Sequence, residues 1–180
     1  VTGTQDHAHV SSASGRRAAV TFDHDRMDVA LRLYESNGTP VPLGAAMRDA
    51  TLTDIGMGLP SVQLGGVPAM ASDGHFTIAL VDYAPAEPDV WAFFYSSDRN
   101  VMSRVALLTD AAGTQGAPGP AFAGNGALLV AFEDSSSSTG LSARAFAAGA
   151  MTPSGTDGAE IGTGATGGAE TGHFARGAQL

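Results

Sequence analysis

Three stretches of the chain look like copies of one β-unit, and that self-similarity limits the fold more than any other feature. Ser14-Gly15 leads into Arg16 to Asp23, Asp73-Gly74 into His75 to Asp82, and Asn125-Gly126 into Ala127 to Asp134. In every copy an Asp stands eight positions after the glycine. A second apolar run then ends on an aromatic: Asp28 to Tyr34, Asp89 to Tyr95, Gly140 to Phe146. Matching glycines are 59 and 52 residues apart (Gly15 to Gly74, Gly74 to Gly126). A period of that size marks a stacked or radial repeat.

The local signals agree on β-structure. Val29, Leu31 and Leu33 alternate with Ala30, Arg32 and Tyr34, the period of a half-buried strand. Asn37-Gly38 follows at once as a hairpin turn, since both residue types tolerate positive φ. Phe76, Ile78 and Leu80 share one face, and Val90 to Tyr95 is nearly continuous apolar sequence, as in a strand covered on both sides. The expected fold is therefore all-β, with three antiparallel units of roughly 50–59 residues. Their bounds are about 10–60, 61–118 and 119–162, after a polar edge strand or arm over 1–9. Residues 163–180 form a Gly-rich tail or interface strand. A β-sandwich or prism is the alternative arrangement.

The turn, strand, acidic residue, loop and aromatic-ended strand resemble blades of bacterial exported β-propellers. The residues that carry the likeness are Pro68-Ala69-Met70-Ala71 with Gly74, and Pro120-Ala121-Phe122-Ala123 with Gly126, at the opening. Arg32-Leu33-Tyr34 and Arg144-Ala145-Phe146 carry it at the close. The inner-strand Trp of that pattern is missing from all three copies, and unit one lacks the Pro. The resemblance implies a blade-like unit. Three blades do not close a ring, which takes four to eight. A homo-oligomer, or a partner chain, is therefore expected to complete it.

Charge narrows the partners. The net charge is −9, with nine basic residues, all of them Arg. Nucleic acid and anionic membranes both require concentrated positive charge, so neither is expected as a partner. There is no cysteine, hence neither a disulfide scaffold nor a thiol nucleophile. No apolar run is long enough to span a bilayer as a helix. The chain opens on Val1, which favours a processed protein in an extracellular, cell-surface or virion-surface location.

Candidate chemistry is sparse. His7 and His9 are two apart, so in a strand they share a face. Joined by His24 and by an oxygen from Asp23 or Asp25, they form a candidate site for a divalent metal. No longer metalloenzyme signature accompanies them. The repeated acidic positions Asp23, Asp82 and Glu133-Asp134 either ring a channel mouth, where they bind a cation or sugar hydroxyls, or cap their own loops. Trp91, with Phe93, Phe94 and Tyr95, is either a sugar-stacking platform or core. Ser72-Asp73-Gly74 faintly matches the aspartate box of sialidase-type propellers, and reads more simply as a turn. Gly162 to Gly168 has no Lys after its glycines and is no phosphate loop.

Repeats without an embedded catalytic set favour a non-catalytic structural or adhesion protein that works through self-assembly or partner binding, a coat subunit included. A carbohydrate-binding module is one alternative. A metal-dependent enzyme built on His7, His9 and His24 is the other.

Overall fold

The computed structural model describes residues 5–13, 17–24, 28–41, 53–54, 61–83, 87–97, 101–107, 113–137, 140–151, 154 and 159–160. Asp25, residues 84–86 of the proline-rich linker and the tail 163–180 lie outside them. The described residues are all-β and fall into three antiparallel sheets. The first joins β1 (Gln5–Ser12), β2 (Ala18–His24) and β3 (Asp28–Tyr34), with the short β4 (Pro40–Val41) and β5 (Thr53–Asp54) both on β3. The second is β6 (Val62–Met70), β7 (Phe76–Tyr83), β8 (Asp89–Tyr95) and β9 (Val101–Ala106), paired in chain order. The third repeats that plan with β10 (Gln115–Phe122), β11 (Leu128–Asp134), β12 (Leu141–Phe146) and β13 (Ala159–Glu160).

The sheets lie face to face with the second in the middle, which explains its composition. Phe76, Ile78, Leu80, Phe93 and Tyr95 turn toward the first sheet and pack with Val29, Leu31 and Leu33. Ala79, Val81, Val90, Ala92 and Phe94 turn the other way and pack with Leu128, Val130, Phe132 and Phe146. A sheet covered on both faces buries successive positions, as β7 does from Phe76 to Asp82, whereas β11 buries only alternate ones. The Phe76 and Tyr95 rings stack with centroids 4.5 Å apart and planes 2° from parallel.

Strand register corrects the alignment of unit one. Ser12 pairs Ala18, Met70 pairs Phe76 and Phe122 pairs Leu128, so each connection is five residues long. Counted through those five, Gly15 occupies the position of Asp73 and Asn125, not that of Gly74 and Gly126. Every landmark counted from Gly15 is thus one residue early. Asp23 is equivalent to Val81 and Glu133; His24 is the equivalent of Asp82 and Asp134. Because side chains alternate along a strand, that single step moves Asp23 to the opposite face of its sheet. The aromatic ends do match: Tyr34, Tyr95 and Phe146 pair with Ala18, Phe76 and Leu128.

The turns obey their own chemistry. Asn37, Asp73 and Asn125 each accept the backbone N–H two residues ahead, at 2.9–3.0 Å, and the next residue is a glycine with φ between 82° and 97°. The side-chain oxygen closes the turn, and the missing Cβ permits the left-handed backbone.

The inner strands β1, β6 and β10 lie side by side where the sheets converge. Each carries a bulge at the same register point, after Asp6, Leu64 and Gly116. At the second bulge the chains of units one and two nearly touch. The Thr21 hydroxyl donates to the Gly66 carbonyl at 2.5 Å, and a Cβ on Gly66 would stand 2.2 Å from Val29 Cγ1. Gly66→Ala is therefore expected to lower stability by about 1–3 kcal/mol. In urea unfolding, the Gly66→Ala/Val29→Ala double variant should lose less than the sum of the two single variants, because the second change makes room for the first.

Candidate functional site

A bulge puts two residues opposite one and turns a strand sharply, and the turn must be absorbed by an unusual backbone angle. In β6 the residue that absorbs it is Gly65, at φ 66°. At the equivalent points in β1 and β10 it is His7, at φ 50°, and Ala117, at φ 42°. Left-handed backbone is costly for residues that carry a Cβ, by about 1–2 kcal/mol each. Non-glycine residues stay in that region only where the surrounding structure over-determines their geometry. All three bulges face one cavity of about 240 Å³, which is also lined by His9, Asp23 and Tyr83.

Within the cavity one polar pair is well defined. Asp23 is buried, and its Oδ2 lies 3.1 Å from His7 Nδ1. Its Oδ1 accepts the Gly65 N–H at 2.8 Å, so a carboxylate of unit one ties down the bulge of unit two. The His7 side chain is 62% exposed. A buried carboxylate that fixes one imidazole nitrogen sets both the ring's orientation and its tautomer. When Nδ1 carries the proton and donates to Asp23, Nε2 is the basic nitrogen. Such a pair presents Nε2 as an oriented site for proton exchange.

Part of the set expected from sequence to act together is gathered at this cavity. His7, His9 and Asp23 line the cavity. His24 lies on β2 and pairs Gln5. Among the described residues no three His, Asp or Glu side chains gather closely enough to hold a metal ion. Asp82 is buried beneath its own unit's strand, where it accepts from the Ser61 hydroxyl and from Gln63 Nε2 at 2.9 Å. Asp134 is buried as well and accepts from the Ser136 amide and hydroxyl and from the Ser142 hydroxyl. Trp91 is half-buried against the first core cluster. Ser72-Asp73-Gly74 is a turn.

Two features escaped sequence reading. One is Tyr83, the last residue of β7, which is 47% exposed at the cavity. The other is the glutamine two positions before each bulge point: Gln5, Gln63 and Gln115, spaced by 58 and 52 residues. That spacing was a usable signal, since it marks the bulges independently of the turns. Gln63 and Gln115 are buried beside Asp82 and Asp134, and Gln115 Oε1 accepts the Val90 N–H of unit two at 3.1 Å.

Burial works to raise the Asp134 pKa, but the hydrogen bonds from Ser136 and Ser142 outweigh it and hold the carboxyl below the usual carboxylate range. A depressed folded-state pKa gives stability that is present above the unfolded value and lost as pH falls through the folded one. Asp134→Asn should cost about 1–2 kcal/mol at neutral pH. The gap from wild type should close below about pH 4, which urea unfolding across pH will show. At the strained bulge, Ala117→Gly should stabilise by up to about 1 kcal/mol, read as a raised Tm.

No family model and no curated protein matches the sequence. Among solved structures, the chain is similar to an endo-arabinase from Bacteroides thetaiotaomicron, with 15% identity and a TM-score of 0.47. The match covers 83% of this chain and 59% of that one, so the chain spans less than two thirds of its neighbour's length. The expectation of a non-catalytic structural or adhesion protein acting through self-assembly is corrected here: the likeness is to an enzyme.

Proposed function

We propose that the chain is an enzyme domain acting on a neutral, hydroxyl-rich small molecule of the saccharide class, bound where the three bulges meet. The observation that carries this reading is His7, held at φ 50° with Nδ1 on a buried carboxylate inside a cavity. His7 exchanges the proton, taking it from a water or a substrate hydroxyl, and Asp23 positions the ring. The three sheets serve as blade-like units whose inner strands bring the bulges together.

The substrate class follows from charge and shape. A chain with net charge −9 repels anions. Tyr83 offers an exposed aromatic face to the apolar side of a sugar ring, and Leu64, Val67 and Val81 extend the apolar wall. His7, His9 and Asp23 supply the polar side.

A panel of oligosaccharides, assayed for binding by NMR and for cleavage by reducing-end release, tests the reading. The expected result is saturable binding that Tyr83→Ala weakens. His7→Asn should cut turnover by about 10²–10⁴-fold with little change in KM. Unaltered turnover in His7→Asn, or no saccharide bound by the wild-type protein, overturns it.

A further inference from the structure

At the turn end of the molecule, the two seams between units are built from equivalent positions with different residues. Arg17, His75 and Ala127 each precede the second strand of their unit, and so occupy one position three times. In the seam between units one and two, Arg17 lies across the gap. Its Nε donates to the Glu35 carboxylate at 3.0 Å and its Nη1 to the Ser97 carbonyl of unit two at 3.2 Å. In the next seam the corresponding residue is His75, which is shorter and is drawn back onto its own turn, with Nδ1 2.8 Å from Asp73 Oδ2. The position of Ser97 is taken there by Ala148 of unit three. This seam holds a cleft of about 280 Å³, against about 230 Å³ beside Arg17 in the preceding one.

The cleft has a definite chemistry. Phe94, Phe122 and Leu128 form apolar walls, and Asp73 and His75 stand at its edge. The His75 backbone N–H, opposed by slight burial and assisted by the His75 ring, holds Asp73 below the usual carboxylate range, so it stays anionic. Thr77 also lines the cleft, on the β7 face that packs toward unit three. It is fully buried, and among the described residues its hydroxyl has no hydrogen-bond partner. An unmade buried hydrogen bond is costly, and a bound group that supplies one recovers the loss.

We propose that this cleft is a binding site for a small organic cation, a guanidinium or ammonium on an aromatic or alkyl body, seated where Arg17 crosses the preceding seam. The cation lies against Asp73, the body against Phe94, Phe122 and Leu128, and Thr77 receives or donates a hydrogen bond. The site is separate from the bulge cavity and does not depend on the function proposed there.

Phenylguanidine is the probe and phenylurea its neutral counterpart, titrated by calorimetry against the whole chain. Phenylguanidine should bind saturably, and phenylurea at least about tenfold more weakly, a difference of about 1.4 kcal/mol. Asp73→Asn keeps the turn, since Asn37 and Asn125 hold the same one, and should erase the preference for the cation. Thr77→Val should weaken both probes without loss of Tm. His75→Arg should supply the missing guanidinium and abolish binding while Tm is kept or raised. Equal binding of the two probes, no binding by wild type, or undiminished binding in His75→Arg each overturns the proposal.

Discussion

The inner-strand bulge is the constraint from which the rest of the molecule follows. Without it, β1, β6 and β10 would run straight, and each unit would present a flat edge to its neighbours. With it, the chain turns at one shared register point in every sheet. There Gly66 comes close enough to Val29 that no side chain fits between them, and Thr21 donates to its carbonyl. The Gly65 amide is turned to the Asp23 carboxylate, and the same carboxylate holds His7. Packing between units and the chemistry of the cavity thus depend on one backbone distortion. The cost of the left-handed angle at His7 and Ala117 is offset by the contacts that the turned strand allows.

Repetition fixed the framework and left equivalent positions to diverge. Asp82 and Asp134 keep the same register, yet one accepts from Ser61 and Gln63 and the other from Ser136 and Ser142. Where Arg17 reaches across one seam, His75 bonds back to its own turn in the next. Further along that same seam, the buried Arg144 reaches from unit three to unit two and donates to the Leu107 carbonyl at 2.5 Å. A scaffold that buries its core through alternating strand faces tolerates such exchanges at strand ends, because those positions carry little of the packing.

Much of the fold was legible. The alternation in β3, the unbroken apolar run of β8 and the Asx-Gly turns are local consequences of side-chain direction and backbone sterics. The site was much less so. Ser14-Gly15 resembles Asp73-Gly74 as a dipeptide but falls one position earlier in its five-residue connection. Counting from it placed Asp23 beside Asp82 and Asp134, when its true counterparts are Val81 and Glu133. A strand inverts its faces with every residue, so an error of one sent a cavity-facing carboxylate into a set of loop-capping ones.

By itself, the sequence determined that the chain is β-rich, triplicated and acidic, because period, turn chemistry and charge are properties of neighbouring residues. Only the tertiary structure decided which residues meet. His7 and Asp23 are 16 residues apart, and Asp23 and Gly65 are 42 apart. No local pattern records such pairings; they exist only once strand pairing and the bulges have set the register of each sheet against the next.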